Sequence, residues 1–285
     1  MDAEHTGPTT QRVADRPVRM AMAAAVFLGS FVRLFFVLDQ GFPLNDGGLL
    51  YLMVRELQRS HYALPLSTSY NGAGIPFAYP PLGLYVAGLL ADLGRWPLLG
   101  VFRFLPLVAS VLALVAFCRL ARDLLKGPAA GYAALAFALL PGSFTWQIMG
   151  GGITRSPGFL FALLAAHQVY LLYTRGRRRH VPGAILCASA AVLSHPAMAW
   201  AAAVGVALLF LAHGRSRRGV LQSLVVAAGT VAMTAPWWAT VIARHGLAPL
   251  IAAGGSPEPA FTGLASLLQL TLTDEPYFPL LGGLA

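Results

Sequence analysis

The sequence predicts an all-α polytopic membrane protein, on three observations. Of its 285 residues 57% are hydrophobic and only 11% charged, with a mean hydropathy of +0.66, whereas soluble domains carry about 25% charged residues. The apolar residues fall into runs close to the ~20 that a helix needs to cross a bilayer. The cations stand in clusters between those runs, where they set orientation. The net charge is +9, from twenty Lys and Arg against eleven Asp and Glu. In a soluble protein that excess would point to nucleic acid; orientation accounts for it here, and no nucleic-acid partner is expected. Cys118 and Cys187 both fall in apolar runs and give neither a disulfide frame nor a metal-ligand spacing.

Residues 1–19 read as a disordered cytoplasmic tail held inside by Arg12, Arg16 and Arg19. No cleavable signal is expected, because the run after Arg19 lacks a polar cleavage region. The first span is 20–39, with Arg33 expected to snorkel outward. Residues 40–80 form a structured first external loop. Leu49, Leu50, Met53 and Leu57 recur there at helical spacing, which predicts an amphipathic helix in the headgroup region; packing on a neighbouring loop would give the same pattern. Asn71-Gly72-Ala73-Gly74 marks a turn, and Tyr79-Pro80-Pro81 opens the next apolar run.

The following runs are 79–95, 98–118, 128–147 and 156–174. Cations follow at Arg119, Arg122 and Lys126, then at Arg175, Arg177, Arg178 and Arg179. The stretch 181–213 ends at Arg215, Arg217 and Arg218. Flanked by cations on both sides, it should cross twice, as a hairpin with His195-Pro196 at its outer tip. Residues 219–242 return outward and end near Pro236-Trp237-Trp238. Residues 243–275 form a second external segment, and the apolar run from Pro276 stops at Ala285, as in a truncated or split product. The total is roughly seven to eight transmembrane helices. Full spans at both 79–95 and 98–118 would put the next two cation clusters outside. Residues 79–95 are therefore read as interfacial or re-entrant, the alternative being an ordinary helix ending at Asp92, Arg95 and Trp96.

This topology gathers Asp46, His61, Tyr70, Asn71, Tyr79, Arg103, Arg155, His195, Asp274 and Glu275 on the outer side. Asp46 precedes a helix, where N-capping accounts for it as well as catalysis does. Arg155 follows three glycines and precedes Pro157, a pattern that suits phosphate binding by a guanidinium and exposed backbone N–H groups; a plain turn with a topology arginine competes. His195 fits a satisfied interfacial histidine slightly better than a ligand. Asp274-Glu275 fits a solvated helix start. No metal set, nucleophile elbow or P-loop is present.

An inner N-terminus, one helix and a large external loop with an early acidic residue, Asp46, together resemble the GT-C membrane glycosyltransferases. Tyr79-Pro80-Pro81-Leu82 is similar to the prolines that open the next helix in protein mannosyltransferases and aminoarabinose transferases of that superfamily. The Gly-rich loop with Arg155 agrees with it, and the resemblance covers roughly residues 20–215. It implies a GT-C-like bundle over 20–285 that moves a sugar from a polyprenyl-phosphate donor to an acceptor on the outer side. Asp46 would then be the general base. Arg155, with Arg103 or Arg33, would hold the donor phosphate. Tyr79, His61, His195 and Asn71 would bind substrate, and the amphipathic helix and an apolar groove would take the prenyl chain. Asn45-Asp46 is not a spaced acidic pair, so no cofactor is assigned and a divalent metal lacks support. The implied partners are the donor, membrane lipid and a second chain supplying further C-terminal helices. A non-catalytic transporter- or flippase-like subunit, or a relative that only binds the lipid carrier, stands as the alternative. The Ala/Arg-rich composition, nearly without Lys, suggests a bacterial inner membrane.

Overall fold

The computed structural model describes residues 8–39, 47–149 and 152–254. The chain divides into two units, Met1–Gly246 and Leu247–Ala285. The described part of the second is one short helix, Ala248–Gly254, and the expected acidic pair Asp274-Glu275 lies outside the described residues.

In the first unit the chain passes repeatedly along one bundle. Helix α1 (Pro8–Asp39) is followed by α2 (Gly47–Arg59), a small antiparallel pair, β1 (Ser67–Thr68) and β2 (Ile75–Pro76), and α3 (Leu82–Gly94). Then come α4 (Leu98–Leu124), α5 (Ala129–Leu139), a one-turn α6 (Thr145–Ile148), α7 (Gly152–Arg175), α8 (His180–Ser194), α9 (Pro196–Leu209) and α10 (Arg217–His245). Five of these are long and apolar enough to cross a membrane, or up to six if the bent α5–α6 pair counts as one. The protein is thus an all-α membrane protein. Helix α1 starts at Pro8, so residues 8–19 are helical rather than a disordered tail.

Side-chain contacts fix the direction of each pass. Gly131 of α5 meets Ala21 of α1, while Gly29 of α1 meets Ala138 of α5 and Leu114 of α4. Pro106 of α4 meets Gly152 of α7, and at the other end Asp123 bonds His167. Gly158 of α7 lies against Ser194 and Met198, whereas Gly183 of α8 lies against Gln168. Ser223 of α10 bonds Tyr173, and Arg244 reaches the Leu64 carbonyl at 2.8 Å. Together these put residues 119–126, 175–179 and 215–218 at one end, the arginine end. The opposite, loop end holds α2, the β pair, α3, the start of α7, the α8–α9 tip and the end of α10.

Helix α3 bears on the conflict over 79–95. Its 13 residues span about 20 Å at 1.5 Å each, too short for a ~30 Å hydrocarbon core. It packs on α2 and on the first turns of α4, in a cluster of Leu50, Val54, Leu84, Ala87, Leu98 and Phe102. The chain therefore enters and leaves this region at the loop end.

Three expectations are corrected. The apolar face of α2 does not lie free in headgroups: Leu50, Met53, Val54 and Leu57 are all buried on protein, so that face is closed to a prenyl chain. The run 128–147 is not one straight helix. Pro141 forces Leu140 out of the helical region, to φ −68° and ψ 120°, and the chain bends by 86°. Finally, α10 does not end at Pro236-Trp237-Trp238 but runs through Pro236 to His245.

Arg33 is the fourth correction, and it follows from the bend. Stopping α5 at Leu139 leaves its last carbonyls without helical donors. Arg33 donates to the Ala138 carbonyl at 2.7 Å, to Gly29 O at 3.1 Å, to Ser110 Oγ at 3.0 Å and to Ser143 Oγ at 3.2 Å. Ser143 in turn donates to Phe137 O at 2.6 Å, and the guanidinium lies 4.6 Å from the Phe144 ring centroid. Arg33 is fully buried. It caps a broken helix inside the bundle and does not snorkel.

Candidate functional site

The first turn of α7 forms the floor of the candidate site. Ile153, Thr154, Arg155 and Ser156 are all buried there. Ser156 Oγ donates to the Pro106 carbonyl of α4 at 2.8 Å. Pro157 has no N–H, so the Ile153 carbonyl lacks its usual partner four residues on. Helix α3 closes on that carbonyl: a Cβ built on Gly83 would stand 2.4 Å from Ile153 O. Only glycine allows the approach, and it places the Tyr79-Pro80-Pro81 segment directly over α7.

Tyr79 marks the result. Its hydroxyl lies 3.2 Å from Thr154 Oγ1, and its ring meets His195 edge-on, with centroids 6.1 Å apart. His195 occupies the break between α8 and α9 in extended backbone, φ −157° and ψ 134°. Its Nδ1 accepts from the Ala197 backbone N–H at 3.1 Å, which leaves the proton of the neutral ring on Nε2. Burial and then the nearby Arg155 charge push the His195 pKa down to about 4. Near neutral pH the ring is therefore an uncharged Nε2–H donor.

Arg155 differs from its expected setting. It lies inside α7 rather than on an exposed loop, and only 4% of it is accessible. It donates to the Trp146 carbonyl at 2.5 Å, and its guanidinium lies 4.3 Å from the Trp146 ring centroid. The indole face fixes the position of the cation.

Tyr79, Arg155 and His195 are thus brought together, with Thr154 and Trp146 as members that the sequence reading missed. The only sign of Thr154 was its place beside Arg155, and Trp146 had none. Arg103 is half-buried on α4, one turn before Pro106, and so belongs to the same end. His61 is exposed in the left-handed turn after α2, at φ 51°, and Asn71 is exposed in the Tyr70–Gly72 turn, at φ 55°. Among the described residues no hydrogen bond links either to the cluster. Asp46, Gly150 and Gly151 lie outside the described residues. Asp46 immediately precedes Gly47, the buried first residue of α2.

Two carboxylates elsewhere at the loop end have other duties. Glu56 accepts from Ser69 N at 2.8 Å and Ser69 Oγ at 2.6 Å, tying α2 to the β pair. Burial works to raise its pKa, but these bonds and the Arg59 charge outweigh it and hold Glu56 below the ordinary value. Asp92 accepts from Gln58 and from the Tyr62 hydroxyl, each at 2.6 Å. Among the described residues no group of three His, Cys, Asp or Glu could hold a metal ion.

The arrangement brings a guanidinium, a helix N-terminus, an imidazole N–H and a phenol close together at the loop end. Guanidinium, N–H and hydroxyl groups are all hydrogen-bond donors, the chemistry that oxyanion binding uses. A comparison with known protein families and with curated proteins found no match.

Proposed function

We propose that this chain is a GT-C-like membrane module of roughly seven to eight spans that transfers a sugar from a polyprenyl-phosphate donor. The convergence of Arg155, His195 and Tyr79 on the start of α7, at the end opposite the arginine clusters, carries the reading. The donor phosphate would sit on Arg155 and the α7 N-terminus, with His195 Nε2–H and Tyr79 as further donors and Arg103 alongside. Asp46 takes the proton from the acceptor hydroxyl. The new bond forms between that oxygen and the sugar C1, and the C1–O bond to phosphate breaks. Polyprenyl phosphate leaves with the electron pair, its charge stabilised by Arg155. The cation clusters face the cytoplasm and the pocket faces outward, as in a bacterial inner membrane.

The described cluster contains no carboxylate, and this favours a second reading, a relative that binds the lipid carrier without catalysis. Membranes carrying the wild type, Asp46→Asn and Arg155→Gln separate the two in a transfer assay with polyprenyl-phosphate-linked sugars and in carrier binding. Sugar transfer requires Asp46→Asn to lower the rate at least 100-fold while carrier binding persists, and Arg155→Gln to weaken both. Unchanged turnover in Asp46→Asn removes Asp46 as the base. Carrier binding without any turnover in the wild type establishes the second reading.

A further inference from the structure

Helices α9 and α10 adjoin in sequence but do not pack along each other. Helix α9 lies on α7, and α10 lies on α8, with Gly229 against Ile185, while Tyr173 of α7 bonds Ser223 of α10 at 2.6 Å. The wide turn Phe210–Gly214 and the Ser216 cap, which accepts from Gly219 N at 3.0 Å, hold the pair apart. Between them runs a groove of about 540 Å³, in the range of about 300–1,000 Å³ typical of ligand sites. Small residues make the trough, among them Ala199, Ala203, Ala207 and Ala227. Its polar wall groups are satisfied within the protein: Tyr173 and Ser223 by each other, Thr230 by Val226 O at 2.9 Å. From Ala199 to Phe210 the groove follows α9 for about 16 Å, ending at the arginine end.

The mouth at that end is strongly charged. Residues 175–180 and 213–219 contain seven Arg and no acid. Arg175 lies 3.5 Å from Asp123 of α4, which also bonds His167 at 2.8 Å. Arg218 donates to the Gly176 carbonyl, which joins the 175–180 and 213–219 clusters around the mouth. Arg177, Arg178, Arg215 and Arg217 are exposed there.

We infer that this groove binds an anionic phospholipid, one acyl chain lying between α9 and α10 and the phosphate on Arg215, Arg217 and the 177–179 run. Charge complementarity selects the occupant, since cations at the membrane surface attract anionic headgroups. Bulk lipid would cover an apolar face equally well without a cationic mouth. The charged mouth is at the opposite end from the Tyr79 cluster, and the inference does not depend on the sugar-transfer reading.

The full chain, delipidated in detergent, tests this by thermal unfolding with phosphatidylglycerol or phosphatidylcholine in mixed micelles, alongside native mass spectrometry. Phosphatidylglycerol should raise Tm by about 4 °C or more at saturation and persist as a bound adduct, with phosphatidylcholine doing neither. Arg215→Gln with Arg217→Gln should remove most of the shift. Ala203→Phe, or the milder Ala203→Val if the larger side chain prevents folding, should reduce it by filling the trough. Equal shifts from both lipids would overturn the inference, as would full retention of the phosphatidylglycerol shift in the groove variants. Displacement of phosphatidylglycerol by polyprenyl phosphate would assign the groove to the carrier instead and overturn it too.

Discussion

Arg33 and Arg155 are both buried cations, and their neighbours give them different roles. The Arg33 bonds to Ser110, Ser143, Gly29 O and Ala138 O join α1, α4 and the broken end of α5. Arg155 lies on an indole beside a helix N-terminus, a phenol and a histidine. His195 reports on that setting through pH. Its folded pKa is pushed to about 4, while the unfolded ring protonates near the ordinary value of about 6.5. Between those values the unfolded state binds more protons, so stability falls as pH drops from 6.5 towards 4 and is fully present above 6.5. Thermal unfolding of detergent-solubilised wild type and His195→Gln over this range should show a steeper acid loss of Tm in the wild type. Parallel slopes would mean that His195 is not held neutral by folding.

At the scale of elements, backbone proximity made the site, and this is what the sequence showed least. Tyr79, Arg155 and His195 were each legible as residues with suitable chemistry. Their convergence depends on Gly83 admitting α3 to the Ile153 carbonyl, which Pro157 leaves without a helical partner. No periodicity encodes that contact. The bend at Pro141 was hidden for a related reason: residues 128–147 are uniformly apolar, and the α5 termination is repaired by Arg33, about a hundred residues away. The α2 helix was legible from its spacing, but whether lipid or protein covers its face is decided by α3 and α4. Gly83→Ala should lower stability by about 1–3 kcal/mol, because the new methyl meets backbone that must shift. Gly100→Ala, which meets nothing within 4 Å, should be neutral or stabilise by about 0.4–1 kcal/mol. Equal Tm values for the two variants in detergent would contradict the α3–α7 contact.

Over the whole molecule, charge counting proved the most informative part of the sequence. The clusters Arg119–Lys126, Arg175–Arg179 and Arg215–Arg218 come to one end because α3 packs with α2 and the first turns of α4 at the loop end and α8–α9 turns back at His195. The number of spans was less legible, since α3 and α8 are apolar but short and hydropathy alone does not separate a short pass from a re-entrant helix. The proposed chemistry gathers at the end opposite those clusters. Single cysteines at positions 46, 61, 195, 126 and 178, in a chain with Cys118 and Cys187 replaced by Ala, test it most directly by labelling intact spheroplasts with a membrane-impermeant maleimide. Labelling is expected at 46 and 61, with weaker labelling at half-buried 195, and protection of 126 and 178 until the membrane is opened. Labelling of 126 or 178 from outside, with 46 protected, would place the arginine end outward and contradict it.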